Sequence, residues 1–244
     1  MKGAWIETMA WPEVGEKLRG GWPVIVPIGA RAKEHGHHLP MQTDYLLARA
    51  LAEGVASQLS VLIAPVIDFG YYPAFLRYPG SQHLRAETFI NLLDDVIDRL
   101  LEQGAAHVAI INTGVSTEGP VQVAVRSIFA RRGVQVAVAD IRRLGRASSK
   151  LLQQKLGGHG DEHETSLMLA IAPDAVDMSR ASVDYGNMLE EPDTVFYRPS
   201  EFNGDVARGI NYSSTGVRGD PTLATAEKGR AILEDMVAEL VSGL

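Results

Sequence analysis

Three histidines, one glutamate and one aspartate fall within the eleven residues Glu34-His35-Gly36-His37-His38-Leu39-Pro40-Met41-Gln42-Thr43-Asp44. Neutral imidazole and carboxylate are the usual ligands of a catalytic zinc or manganese ion where thiolates are lacking, and this chain has no cysteine. An aspartate at a helix start could also bridge two ions, since its two oxygens point to different sides. The bland alternative is a polar surface loop in which Asp44 caps the following helix. A second cluster, Gly157-Gly158-His159-Gly160-Asp161-Glu162-His163-Glu164-Thr165-Ser166, heads another helix. Its glycine-rich turn could bring His159 close to a substrate. If that helix begins near Asp161, Glu164 lies in the first turn, where a carboxylate either caps the helix or faces a metal. Two such clusters favour one shared site over two coincidences.

The elements around these clusters must position them. Val24-Ile25-Val26-Pro27-Ile28 reads as a buried strand ending at Gly29, 44–59 as a helix, and 61–67 as a second buried strand that Pro65 weakens. Phe89, Leu92, Leu93, Val96, Ile97, Leu100 and Leu101 repeat along one helical face that Gly104 closes. A third strand at 108–111 runs into Asn112-Thr113-Gly114. A helix over 121–131, a strand over 134–138 ending at Asp140, and a helix over 162–172 stopped by Pro173 follow. Residues 179–222 read as irregular, and a C-terminal helix buries Ile232, Leu233, Met236, Val237, Leu240 and Val241. Strands without polar alternation, each followed by a helix, predict a mostly parallel sheet covered on both faces. The expectation is a single α/β domain over 1–244, a three-layer α/β/α sandwich. Right-handed crossovers then place the functional loops at the carboxyl ends of the strands.

Composition narrows the function. The 244 residues carry 23 Lys and Arg against 30 Asp and Glu, a net charge of −7. That argues against a nucleic-acid or anionic-membrane partner, because no phosphate-neutralising face is implied. The lack of cysteine excludes disulfides, zinc fingers, iron–sulfur clusters and thiol catalysis. Residues 1–7 lack a secretory apolar stretch and no run is long enough to span a bilayer, so a cytoplasmic protein is expected. Asn112 to Gly119 lies between a strand and a helix, where backbone amides could cradle phosphate. It lacks both the Gly-x-Gly-x-x-Gly pattern and Gly-Lys-Ser/Thr. No Gly-x-Ser-x-Gly elbow is present for a serine hydrolase either. Tyr71-Tyr72-Pro73-Ala74-Phe75-Leu76 reads as aromatic surface lining a substrate pocket or a subunit interface.

These residues resemble the creatininase (creatinine amidohydrolase) family in four pieces, matched in order across nearly the whole chain. Pro27-x-Gly29 with His35-Gly36-x-His38-Leu39-Pro40-x-x-Thr43-Asp44 is similar to the family's P-x-G-S-x-E-Q-H-G-x-H-L-P-x-x-T-D. Tyr78-Pro79-Gly80-Ser81 is similar to its F-P-G-T turn, and His159-Gly160-Asp161-Glu162-His163-Glu164-Thr165-Ser166 to its H-A-G-E-x-E-T-S. Gly219-Asp220-Pro221-x-x-Ala224-Thr225-x-x-Lys228-Gly229 is similar to G-D-P-x-x-A-T-x-x-K-G. The resemblance implies a divalent, commonly binuclear, Zn or Mn site and hydrolysis of C–N bonds in cyclic or linear non-peptide amides by metal-activated water. It also implies a homo-oligomer, often a hexamer. By position it implies His35 and Asp44 as metal ligands, Asp44 bridging, with Glu164 a further ligand. His159 matches the histidine near the reacting centre, suited to donate a proton or to stabilise an oxyanion, and His38 a residue that orients a ligand. Glu162 is the candidate carboxylate for taking the proton of water.

Departures from the pattern bear on the metal. The family's glutamate two residues before the metal histidine is Lys33 here, and Glu34 is adjacent instead. A one-residue bulge could still deliver Glu34 as a ligand, although neighbours on extended backbone point apart. The family's N-G-H-G-G-N or N-G-H-Y-E-N is Asn112-Thr113-Gly114-Val115-Ser116-Thr117, so Gly114 stands where a metal histidine is expected. The E-H pair before the F-P-G-T turn is replaced by Ala74-Phe75. These changes predict either a one-ion site or a rebuilt second site, with His163, Glu118 and His37 as candidate substitutes. They point away from creatinine towards a different small amide. The rival expectation is a member that lost its chemistry and serves as a small-molecule binding protein or oligomeric scaffold.

Overall fold

The structure, a computed structural model, describes residues 2–186 and 213–244. Among the described residues a sheet of five parallel strands forms from β1 (Ala4–Trp5), β2 (Val24–Ile28), β3 (Leu62–Ile63), β4 (Val108–Asn112) and β5 (Ala137–Asp140). They lie in the order β1-β3-β2-β4-β5. The longest pairing joins β2 to β4, with Val24 opposite Val108 and Ile28 opposite Asn112. Six helices, also counted among the described residues, flank the sheet: α1 (Trp11–Arg19), α2 (Thr43–Gln58), α3 (Ala86–Glu102), α4 (Glu118–Arg132), α5 (Glu162–Ile171) and α6 (Ala226–Gly243).

Side chains alternate between the two sheet faces, yet both alternants are apolar because helices cover both faces. On one side Val24, Val26, Ile28, Val108 and Ile110 meet Leu18 of α1, Phe89, Leu93 and Ile97 of α3, and Val121 and Ile128 of α4. On the other, Ile25, Ile63 and Ile111 meet Leu47, Leu51 and Val55 of α2, Leu167 of α5, and Ile232, Met236 and Leu240 of α6. This is the expected α/β/α sandwich. Helix α6 lies so close to α5 that a Cβ on Gly229 would overlap the Ser166 carbonyl. That contact brings Lys228 to the start of α5.

Several boundaries differ from the sequence reading. The strand expected over 61–67 pairs regularly only at Leu62–Ile63, since Pro65 has no N–H for the ladder; Ile67 resumes as an isolated bridge to Ile28. The strand expected over 134–138 begins at Ala137, after Gly133 ends α4 in a left-handed conformation. Helix α4 starts three residues earlier than expected, because Pro120 in its first turn gives up an N–H that has no intrahelical partner there. β1 and α1 were not expected at all. Within the irregular stretch 179–222, short 3-10 turns occur at Met178–Arg180 and Pro221–Leu223, and 187–212 lie outside the described residues. No helix among the described residues is long and apolar enough to cross a membrane.

Candidate metal centre

Strands β2 and β4 end side by side, and the segment after β2 meets the turn that precedes α5. Gly160 permits that approach: its φ is +54°, and a Cβ there would sit 3.0 Å from the His35 carbonyl oxygen. The turn is anchored from behind, His159 and Arg218 exchanging backbone hydrogen bonds of 3.3 and 2.7 Å. Asp161 caps α5 by accepting from the Glu164 N–H, while the Glu164 side chain reaches back to accept from the Gly160 N–H at 2.6 Å, which holds its carboxylate beside His159. As a result His35, His159 and Glu164 offer one ligand atom each, all within 4.8 Å of one another.

The hydrogen bonds behind the two imidazoles fix what faces inward. A carbonyl oxygen can only accept, so His35 Nδ1 donates to the Lys33 carbonyl at 2.9 Å and His159 Nε2 donates to the Glu34 carbonyl at 2.7 Å. In a neutral ring the other nitrogen is then a bare lone pair. For His35 that nitrogen, Nε2, stands 3.0 Å from Asp44 Oδ1; for His159 it is Nδ1, 3.7 Å from Glu164 Oε2. Lone pairs facing carboxylate oxygens require positive charge between them, from a proton or a metal cation. Two protonated rings with centroids 4.7 Å apart, beside the Lys33 ammonium, would repel one another. A single cation shared by both rings satisfies the same geometry, and backbone carbonyls behind ligating histidines are the usual orienting partners. The donor set therefore fits a divalent ion.

Charge in the cluster is strongly coupled. The Asp44 carboxylate is buried, which would raise its pKa, but the Lys33 ammonium 2.8 Å away and the His35 ring hold it far below the ordinary carboxylate range. Burial would likewise lower Lys33, yet the Asp44, Glu164 and Glu34 charges raise it above the usual lysine value. Glu164 is pushed up by burial and pulled down further by His159, His35 and Lys33. Burial opposes protonation of His159, but the Glu34 charge and hydrogen bond outweigh it and raise its pKa.

Not every expected residue joins the centre. Glu34, expected as a ligand, points the other way: its carboxylate accepts from the Gly36 N–H and lies 3.2 Å from His159 Nε2, on the outer side of that ring. Lys33 and His35 both turn to Asp44, while the side chain of Glu34 between them turns away from it. Glu162 is also a correction. Its Oε2 accepts from the Gln153 and Gln154 N–H groups, each at 2.7 Å, and its Oε1 pairs with Lys228, so it is not available to take a proton from water in this site. Asp44 is in place, but one oxygen faces Lys33 rather than open space. His37 is exposed and His163 half-buried, both outside the three-donor group. Glu118 is held by Arg142 and Gln122. Lys33 is the residue that sequence reasoning missed as a participant; the tendency of neighbouring side chains to point apart was the available signal.

His38, expected to orient a ligand, contacts Thr165 rather than any of the three donors. Its Nε2 meets Thr165 Oγ1 at 2.8 Å, beside Glu164 in the first turn of α5. Burial presses its pKa from 6.5 to about 4, against the weaker pull of the Glu164 charge. The unfolded chain therefore takes up this proton first, and folded-state stability should decline as pH falls from 6.5 towards 4. Each unit of difference corresponds to about 1.4 kcal/mol at most. Urea unfolding of wild type and His38→Gln between pH 7 and 4 should show wild type losing stability relative to the variant on acidification.

The centre opens into a cavity of about 760 Å³ lined by Lys33, Tyr71, Phe75, Glu118, Arg142, His159, Glu164 and Arg218 among others. The size suits a small-molecule site. The aromatic stretch expected at a pocket or interface lies in this wall, with the Phe75 ring 4.4 Å from that of His159.

Comparison with known proteins gives a consistent result. The family model described as creatinine amidohydrolase matches residues 7–244. The creatinine amidohydrolase of Pseudomonas putida is 27% identical over 271 residues, covering 100% of this chain and 96% of that protein. The mycofactocin precursor peptide peptidase of Mycobacterium ulcerans is 32% identical over 238 residues, covering 93% and 86% respectively. A solved manganese creatininase superposes with a TM-score of 0.82 at 27% identity, covering 99% of this chain and 97% of that one. A Zn–Zn type of a mutant creatininase gives 0.79 at 26% identity, covering 100% and 97%.

Proposed function

The chain belongs to the creatininase family, and we propose that it is a metal-dependent amidohydrolase that cleaves a C–N bond of a small non-peptide amide other than creatinine. One observation carries the reading: two buried imidazoles, each pinned through its outer nitrogen to a backbone carbonyl, turn their lone pairs onto carboxylate oxygens. Zinc or manganese would be held by His35, His159 and Glu164, with Asp44 alongside. A divalent ion in such a site acidifies water and polarises a carbonyl. The protein's own groups do the rest. Glu34 orients the His159 ring, His38 steadies the first turn of α5 through Thr165, and Phe75 packs on His159 to limit water. With Nε2 donating to the Glu34 carbonyl and Nδ1 turned to the ion, His159 would serve as a donor to the metal rather than as the acid expected of it, and Glu164 likewise as a donor rather than a base.

The peptide-cleaving relative keeps a peptide amide as the alternative substrate, and the same cavity serves either. Protein loaded with zinc or manganese should release ammonia or amine from one member of a panel of lactams, linear amides and short peptides. Chelation should stop the release and added metal restore it. Turnover confined to peptides would overturn the non-peptide assignment. Metal binding without turnover on any member would favour a binding protein, a reading that Gly114 in place of an imidazole already motivates.

A further inference from the structure

We propose that the Lys33 ammonium fills a second cation position of this centre, so that one divalent ion and one tethered lysine do what two ions would otherwise do. The proposal rests on the metal reading above and concerns the carboxylate of Asp44. Its two oxygens face different cations: Oδ1 faces His35 Nε2 at 3.0 Å, and Oδ2 faces Lys33 Nζ at 2.8 Å. Lys33 is 6% exposed, its ammonium lies 5.1 Å from the centre of the Phe75 ring, and it lines the cavity beside His159 and Glu164. A metal ion on Oδ2 would have to occupy the volume of that ammonium.

Donor supply points the same way. Glu34, the only carboxylate besides Asp44 in residues 33–44, lies on the outer side of the His159 ring and offers no donor beside Asp44 Oδ2. Nor does position 114 supply a donor: that residue is glycine, and a Cβ there would lie 2.7 Å from Thr117 Oγ1. Unlike an ion, the ammonium cannot be chelated away. It keeps N–H donors beyond the one given to Asp44, on the cavity wall, where they can meet a substrate oxygen.

Native mass spectrometry of the full chain, titrated with zinc and separately with manganese, tests the proposal. Wild type should saturate at one ion per chain and Lys33→Glu, which exchanges the cation for a carboxylate donor, at two. Lys33→Gln, which drops only the charge, guards against a Glu variant that does not fold; its affinity for a further ion should rise at least about tenfold. Two ions in wild type would overturn the proposal, as would an unchanged count and affinity in both variants. A wild-type count of zero would defeat the metal reading alone. In that case a gain of one ion in Lys33→Glu still supports the role of Lys33, and no gain removes it.

Discussion

Glu164→Ala is expected to weaken zinc or manganese binding by more than about 100-fold, because changes in residues that merely orient a ligand already cost about 10–100-fold. Glu164 supplies the carboxylate oxygen of the three-donor group, in which the other two donors are imidazoles. Its removal takes away one of the two carboxylates, with Asp44, that face the inward nitrogens of the histidines. The same side chain also accepts from the Gly160 N–H at 2.6 Å, so alanine loosens the turn carrying His159 as well. Glu164→Gln separates these effects: the amide oxygen can still accept from Gly160, while the charge is gone. Glutamine should therefore bind metal almost as weakly as alanine, with an unfolding midpoint close to that of wild type. Glu118→Ala is the control, since Glu118 lines the same cavity but is engaged by Arg142 and Gln122. Competition against a chelating dye reads all three. Affinity of Glu164→Ala within about threefold of wild type would remove Glu164 from the metal set.

The convergence of His35, Asp44, His159 and Glu164 was legible because strand periodicity and short loops left little freedom. Buried parallel strands deliver their following loops to one rim, and both acid–histidine clusters follow or precede elements that the apolar pattern identified. What was not legible is which of two neighbouring carboxylates turns inward. Glu162 and Glu164 are two apart on a helix, so they face different sides. Sequence alone does not say which side meets the cavity and which meets α6. Glu34 and Lys33 pose the same question in the segment after β2, and there the family pattern favoured a bulge while the two side chains turn apart. The two-residue strand β1 and the nine-residue helix α1 escaped notice for a different reason. A two-residue strand has no periodicity to read, and α1 buries only Leu18 completely.

Replacing Lys228 with methionine should destabilise the fold by about 3 kcal/mol without changing the ion count, the opposite pattern to Glu164→Ala. Glu162 is 0% exposed, and stripping its cation leaves a buried charge supported only by two backbone N–H groups. Breaking a buried pair from one side costs about 3–5 kcal/mol; the lower figure applies because the Lys228 side chain keeps 16% exposure. Lys228 also donates to the Leu223 carbonyl at 2.8 Å and to Gln153 Oε1 at 3.0 Å, tying α6 to the turns around α5. Glu162→Gln should lose less, since an amide oxygen still accepts from the Gln153 and Gln154 N–H groups. The double change Glu162→Leu with Lys228→Met should cost less than the sum of the two single changes, because neither charge is then left unpaired. Urea midpoints with an unchanged slope measure the effect. Were Glu162 the proton acceptor for hydrolysis, Glu162→Gln would abolish turnover at full stability. Because its carboxylate lies against α6, activity should instead fall only as far as the folded fraction does.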